Sequence, residues 1–69
     1  MDTTELIYEE YKRYRNIIDG RPNLGFSQEA LRLQADFNGF RRGYRFTSKN
    51  ERSALLTSFR IYNDRLDPK

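Results

Sequence analysis

The sequence contains no cysteine and no histidine. Without cysteine the chain can form neither disulfide bonds nor thiolate metal sites, and without histidine it lacks the side chain most often used for acid and base catalysis near neutral pH. No apolar run approaches the roughly 18 residues that a membrane-spanning helix needs. These absences exclude zinc domains built on cysteine or histidine, thiol redox proteins and hydrolases with a histidine base.

The chain is also short. Its 69 residues, 36% hydrophobic and 33% charged, predict a single helical domain over residues 1–69 with a small core. A domain of this size gains only about 3–5 kcal/mol from burial, so a partner chain or self-association would add to its stability. We therefore expect a non-enzymatic binding protein that uses no cofactor and no metal.

The N-terminal residues differ from those of a signal peptide. The start, MDTTE, is acidic, whereas a signal peptide begins with basic residues and continues with apolar ones. The lack of cysteine fits a reducing compartment. We expect a cytoplasmic protein that does not associate with a membrane.

Charge is distributed unevenly along the chain, whose formal net charge is +3. Residues 1–29 carry four basic and six acidic side chains, whereas residues 30–60 carry seven basic and only two acidic ones. A basic second half indicates a partner with negative charge, either an acidic protein surface or a nucleic acid.

The first segment is predicted to be a helix over residues 3–18. Its apolar side chains recur at spacings of four, three and four, which places them on one helical face: Ile7, Tyr11, Tyr14 and Ile18. Asp2 and Glu5 have the spacing of a capping box at the start of this helix. Gly20 is expected to end it, and Pro22 to prevent it from resuming after a short connection.

A second helix is predicted to follow the N-cap residue Ser27 and to run to about Arg42, with Gly43 as its C-cap. Its apolar stripe is Ala30, Leu33, Phe37 and Phe40, with Tyr44 as a further candidate. Gly39 interrupts the pattern, so the alternative is a helix that ends near Phe37 and is followed by an irregular basic loop.

A third helix is predicted over about residues 49–65. Ser48 and Glu51 form a full capping box, and a stripe with helical spacing follows it: Leu55, Phe59, Tyr62 and Leu66. The alternative is a C-terminal hairpin, since Tyr44 with Phe46 and Phe59 with Ile61 alternate with other residues as they would in two strands.

Three short amphipathic helices can bury their stripes only against one another. The predicted fold is therefore all-α, a small three-helix bundle, or a helical dimer built from the same faces. An α+β fold with the C-terminal hairpin is the alternative. Five tyrosines and five phenylalanines exceed what so small a core can hide, so we expect some rings at the surface.

Catalytic motifs are lacking. Glu5 and Glu9 lie one helical turn apart, but two carboxylates alone make a weak metal site and fit a solvated acidic face. The four glycines do not form a phosphate-binding pattern.

Residues 37–46 read FNGFRRGYRF and form the most informative segment. Tyrosine, phenylalanine and arginine dominate the energetics of protein interfaces, because a ring fills a pocket and a guanidinium pairs with a carboxylate. The candidate partner-binding residues are Phe40, Arg41, Arg42, Tyr44 and Arg45. The competing structural interpretation places the rings of this segment, Phe37, Phe40 and Tyr44, in the core. Its arginines, Arg41, Arg42 and Arg45, would then only complement the C-terminus of the second helix.

The same basic segment also suits nucleic acid, since arginine binds phosphates and aromatic rings stack on bases. For this alternative the candidate residues are Arg41, Arg42, Arg45, Lys49, Arg52 and Arg60. A third hypothesis is a structural homo-oligomer that uses a tyrosine ridge, Tyr8 and Tyr11, on the first helix. The competing interpretation of that ridge is a wide core face.

The function predicted from the sequence is that of a regulatory or adaptor protein that binds a larger protein through its arginine and aromatic side chains. In its size and its lack of catalytic groups, the chain resembles the small accessory proteins of phages and mobile elements. That resemblance implies an inhibitor-like role, and a homodimer remains open.

Overall fold

The computed structural model describes residues 2–67 of the chain. These residues form the helices α1 (Thr3–Gly20), α2 (Gln28–Arg42) and α3 (Lys49–Leu66), with a short 3-10 helix, Pro22–Phe26, between α1 and α2. This part of the chain contains no strand. The prediction of an all-α three-helix bundle is confirmed, and the alternative with a C-terminal hairpin is wrong.

Cross-helix contacts define the direction of each helix. The Tyr14 hydroxyl donates to the Ala30 carbonyl at 3.1 Å and the Tyr8 ring contacts Phe40, so α2 runs antiparallel to α1. Arg65 near the end of α3 pairs with Glu29 near the start of α2 at 2.9 Å, so α3 runs antiparallel to α2. The bundle thus has a loop end, formed by residues 41–49 beside the start of α1, and a turn end, formed by residues 20–27 beside the end of α3.

The core consists of the predicted stripes. Its buried side chains are Ile7, Tyr14, Ile18, Ala30, Leu33, Phe37, Leu55, Leu56, Phe59 and Tyr62. The Tyr11 ring stacks on Phe37, and Phe59 meets both rings edge-on. Aromatic rings from three helices therefore meet at the centre and share the core with aliphatic side chains. Tyr44, the further candidate for the α2 stripe, lies outside the core.

A polar network joins α1 to α3 beside the core. The amide of the fully buried Asn63 donates to the Glu10 carbonyl at 3.0 Å, and Arg13 donates to Asp64 at 2.7 Å. The Asp64 carboxylate, by accepting this hydrogen bond, holds the pKa of the Arg13 guanidinium above its usual value. Such directional contacts fix the register of two helices more strictly than apolar packing does.

The predicted cap at the start of α1 is wrong, because the Asp2 side chain makes no capping hydrogen bond. The helix ends at Gly20 as predicted, two residues beyond the predicted bound of 18. Arg21 follows as the C-cap, and its φ of −141° and ψ of 74° leave the helical region. Pro22 is the physical cause, because the residue before a proline is disfavoured in α conformation. The connection itself is a 3-10 helix that begins at this proline.

The other predicted helix ends are confirmed. The Ser27 side chain accepts from the Ala30 N–H at 3.1 Å. Gly43 is the C-cap of α2 in the left-handed conformation, with φ of 81°. Ser48 and Glu51 exchange both hydrogen bonds of a capping box. No helix in the described part of the chain is long and apolar enough to cross a membrane.

Candidate functional site

The loop end begins where α2 ends. Gly43 reverses the chain in the left-handed conformation, and the N–H groups of Tyr44 and Arg45 then donate to the Gly39 carbonyl at 2.9 and 3.2 Å. These bonds satisfy a carbonyl that a helix C-terminus otherwise leaves unpaired. Residues 43–45 are therefore folded back onto the last turn of α2.

Arg45 fastens this loop to α2. Its guanidinium lies 2.9 Å from the Asp36 carboxylate and 5.0 Å from the centre of the Phe46 ring. Its methylene groups pack on Gly39, where an added Cβ would lie only 3.1 Å from the Arg45 Cδ. Arg45 is one of the predicted partner-binding residues; it makes these contacts within the chain while 57% of its side chain stays exposed.

Phe46 adds a second anchor. Among the described residues that are not glycine, Phe46 alone has a positive φ, 59°. An aromatic residue rarely adopts this conformation, so the surroundings must hold it there. The ring packs against the core from a partly buried position. Two neighbouring side chains, those of Arg45 and Phe46, thus fix the backbone of the loop.

Tyr44 projects from this fixed backbone, with 80% of its surface exposed. Within residues 2–67 its hydroxyl has no hydrogen-bond partner and its ring contacts no other aromatic ring. An exposed ring of this kind, on a backbone that cannot rearrange freely, is available to an external molecule.

Two arginines stand beside Tyr44. Arg41 and Arg42 occupy the last turn of α2, are exposed, and form no ion pair with any described residue. Lys49, the first residue of α3, is also exposed and unpaired among residues 2–67. The negative end of the α2 dipole stabilises the arginines but leaves their hydrogen-bond donors free.

Phe40 has a different position from the other predicted partner-binding residues. It is partly buried, and its ring contacts Tyr8 at 5.7 Å and Phe37 at 6.0 Å between centroids. The Phe40 ring therefore packs between the last turn of α2 and the side chains of Tyr8 and Phe37, and it does not project into solvent as Tyr44 does.

Only some of the six cations predicted to bind nucleic acid are free of contacts within the chain. Arg52 donates to the Thr47 carbonyl at 2.7 Å, and the Arg60 Nε lies 3.9 Å from Glu10. With Arg45 held by Asp36, three of the six predicted cations have partners within the chain. The cations without a described partner are Arg41, Arg42 and Lys49.

The tyrosine ridge of α1 faces α2. Tyr11 stacks on Phe37 and donates its hydroxyl hydrogen to Gln34 at 3.1 Å. Tyr8 is 40% exposed and meets the same Phe37 edge-on at 5.5 Å. Both rings are used within the bundle, as the interpretation of a wide core face predicts.

Two further exposed surfaces were not predicted from the sequence. The Phe26 ring at the turn end is 81% exposed. A groove of about 230 Å³ also runs between α2 and α3, with Leu33 and Tyr62 at its base and the half-exposed Ile61 beside it. The signal that marks Ile61 is an apolar residue lying outside the stripe of its own helix.

Acidic residues offer no metal site in the described part of the chain, where no three of them cluster closely enough to hold an ion. Glu9, one of the two carboxylates considered above, pairs with Lys12 at 3.9 Å. Comparison of the chain with known protein families, with curated proteins and with solved structures found no match.

Proposed function

We propose that this protein is a non-enzymatic adaptor or regulatory protein that binds a larger protein through Tyr44, Arg41 and Arg42. The observation that carries the proposal is the exposed Tyr44 ring on an anchored loop. Arg45 and Phe46 hold the backbone, so the ring is presented from a defined place on the surface. In this proposal the protein acts in the cytoplasm in an inhibitor-like role.

Preorganisation is the physical reason for choosing this ring. A loop whose backbone is already ordered loses little conformational entropy on binding, so more of the contact energy becomes affinity. Tyrosine has only two side-chain torsions to fix and supplies a large contact area with a polar end. The matching partner surface has a pocket for the phenol ring.

The arginines define the charge of the partner. Arg41 and Arg42 carry free donors beside the ring, and guanidinium groups bind carboxylates in a bidentate manner. The pocket for Tyr44 is therefore expected to have aspartate or glutamate at its edge. These charges speed the encounter of the two proteins and orient it.

A nucleic-acid partner is the second candidate, because Tyr44 could stack on a base while Arg41 and Arg42 bind phosphates. The number of free cations favours a protein instead. Half of the predicted cationic set is already paired within the chain, which leaves three cations to bind phosphates.

A comparative capture experiment tests the proposal. The protein, its Tyr44→Ala variant and its Phe26→Ala variant are immobilised, and nuclease-treated lysate of the cells that produce the protein is passed over each. Phe26 is the matched control because its ring is equally exposed at the opposite end. We expect a protein that wild type and Phe26→Ala retain and Tyr44→Ala loses. Equal retention by all three proteins would contradict the proposal.

Binding to a labelled single-stranded oligonucleotide separates the two candidates. If the partner is a protein, fluorescence anisotropy shows only weak binding at physiological salt. Micromolar binding that weakens by orders of magnitude between about 50 and 200 mM salt would support the nucleic-acid function. Loss of that binding in an Arg41→Ala, Arg42→Ala variant would place it at the loop end.

A further inference from the structure

An asparagine followed by a glycine, Asn38 and Gly39, lies inside the last two turns of α2. No other asparagine of the chain precedes a glycine, since the remaining four precede isoleucine, leucine, glutamate or aspartate. Glycine leaves its backbone nitrogen the least shielded and the most free to rotate. Of the five asparagines, Asn38 is therefore the one whose side-chain amide is most open to attack by the next backbone nitrogen.

The reaction is deamidation, and it needs no enzyme. The Gly39 nitrogen attacks the Asn38 Cγ, the bond from Cγ to the side-chain nitrogen breaks, and ammonia leaves with the proton that Gly39 gives up. A water molecule then opens the resulting succinimide ring. Opening at one carbonyl gives aspartate, and opening at the other gives isoaspartate, in which the main chain runs through Cβ.

Folded α2 slows this reaction. Inside the helix the Gly39 N–H is directed at a carbonyl of the preceding turn. The Asn38 side chain accepts a hydrogen bond from the Gln34 amide at 3.2 Å. Since both reacting groups are engaged in the helix, the reaction proceeds in molecules whose last turns of α2 have opened.

Three features of the loop end favour such opening. Glycine weakens the interior of a helix, and Gly39 is required because an added Cβ would lie 3.1 Å from the Arg45 Cδ. The Arg45 side of its ion pair with Asp36 is 57% exposed, so water can replace this contact. Phe46 has an unfavourable positive φ, and this strain is released when the loop leaves its folded position.

The product changes the charge beside the free arginines. Arg41 and Arg42 follow position 38 by three and four residues, the spacings at which helical side chains meet. The neutral Asn38 amide leaves both guanidiniums unpaired, whereas a carboxylate there would pair with them. Aspartate can still accept the hydrogen bond from Gln34, so α2 keeps its fold. Isoaspartate instead lengthens the main chain inside α2 and disrupts the helix.

From these observations we infer that Asn38 is a site of spontaneous deamidation, and that its aspartate product lowers affinity for the partner by pairing with Arg41 and Arg42. The chemical step is independent of the proposed function, whereas the effect on affinity rests on that function. The loop end thus loses affinity as the molecule ages, at a rate set by the opening of α2.

Incubation of the native protein at mildly alkaline pH, followed by peptide mapping with mass spectrometry, tests the chemical step. Asn16 is the internal control, because it is also helical and is exposed on α1 but precedes isoleucine. We expect Asn38 to deamidate several-fold faster than Asn16. Asp36→Ala should raise the Asn38 rate by about two- to fivefold, and Asp19→Ala, which removes an ion pair of α1, should leave it unchanged. A rate at Asn38 no higher than that at Asn16, or one that Asp36→Ala does not raise, would overturn the inference.

Surface plasmon resonance with the captured partner tests the effect of the product, after circular dichroism confirms that each variant is helical. Asn38→Asp should bind about fivefold more weakly than the wild type, because two helical ion pairs must be broken. Ala35→Asp is the matched control, since it adds the same charge to an exposed position of α2 two turns from Arg42, and its affinity should stay within about twofold. Wild-type affinity in Asn38→Asp, or equal losses in both variants, would overturn the effect on binding. Tyr44→Ala distinguishes the two proposals, because wild-type affinity in that variant would contradict the proposed function and leave the measured deamidation rates valid.

Discussion

The two ends of the bundle each expose one aromatic ring to the same extent, 80% for Tyr44 and 81% for Phe26. Their surroundings differ. At the turn end, Arg15 pairs with Asp19 at 3.1 Å and Arg21 donates to the Leu66 carbonyl at 3.2 Å, so basic side chains there are used within the chain. At the loop end, Arg41 and Arg42 have no described partner.

The difference shows that exposure alone does not identify a binding residue. An exposed phenylalanine in a short 3-10 helix offers only apolar area, and single exposed apolar residues are common on monomeric proteins. Tyr44 offers apolar area, a hydroxyl group and two adjacent cations with free donors. Binding energy is therefore expected to concentrate at the loop end.

The largest expected effect comes from removing the two free cations. An Arg41→Ala, Arg42→Ala variant loses its contacts with the carboxylates of the partner. Affinity for the captured partner should fall by about 2 kcal/mol, roughly thirtyfold, with part of the loss in the association rate. Surface plasmon resonance with the captured partner measures both.

The control for this prediction is Arg15→Ala, which removes an arginine that already pairs with Asp19. Affinity of the control should stay within about twofold of the wild type, since exposed ion pairs contribute little. An equal loss in both variants would mean that net charge, rather than position, governs binding.

A second comparison uses one glycine at each end of the bundle, Gly43 at the loop end and Gly20 at the turn end. An added Cβ meets nothing within 4 Å at Gly20 or at Gly43, but only Gly43 has a positive φ, 81°. Gly43→Ala should lower the free energy of unfolding by about 1–2 kcal/mol, because alanine is strained in the left-handed conformation. Gly20→Ala should raise it by about 0.5 kcal/mol, because Gly20 is helical.

Urea unfolding followed by circular dichroism measures both glycine variants. Changes of opposite sign in the free energy of unfolding would confirm that the loop end depends on a left-handed cap and that the turn end does not. Destabilisation of similar size in both variants would contradict the assigned helix ends.

A third prediction concerns the buried hydrogen bond from Tyr14 to the Ala30 carbonyl. Tyr14→Phe should lower the free energy of unfolding by about 1 kcal/mol and leave partner binding unchanged, because Tyr14 is far from the loop end in the bundle. Burial raises the pKa of the Tyr14 hydroxyl above its usual value of about 10.

The pH dependence follows from that shift. The native state holds the Tyr14 proton more tightly than the unfolded state does. The protonated hydroxyl therefore contributes fully to the free energy of unfolding below about pH 10, and this contribution is lost as pH rises through the raised pKa. The stability of Tyr14→Phe should fall less steeply above about pH 10 than that of the wild type. Denaturant unfolding at a series of pH values measures the slopes, and identical slopes would contradict the assignment.

The smallest expected effect is on global stability when the Asp36–Arg45 pair is removed. Asp36→Ala should cost less than about 1 kcal/mol, because the Arg45 side chain is 57% exposed and water can solvate it. Locally the change should be larger, with faster hydrogen exchange at the amides of residues 44 and 45. The control Asp19→Ala removes an ion pair of α1 and should leave these amides unchanged.

Much of the fold follows from local sequence signals. Ser48 with Glu51 and the glycine at position 43 each specify a helix end through bonds within a few residues, and the structure contains them. α1 ends at Gly20 as predicted, but the steric effect of Pro22 on Arg21 sets this end rather than a left-handed glycine.

The candidate site was less predictable. The contacts that decide which cations are free depend on tertiary geometry, such as Arg45 meeting Asp36 nine residues away and Arg60 approaching Glu10 on another helix. Composition and spacing identify the basic aromatic segment but cannot divide it into anchoring and projecting residues. That division comes from the left-handed turn at Gly43 and from the position of the Phe46 ring.

Photo-crosslinking tests the central claim most directly. The photoreactive residue p-benzoylphenylalanine replaces either Tyr44 or Phe26, two positions of equal exposure, and the protein is irradiated in the cells that produce it. We predict a covalent adduct with one other protein from position 44 and none from position 26. Equal adducts from both positions, adducts from position 26 alone, or an adduct at position 44 that nuclease digests would contradict the account.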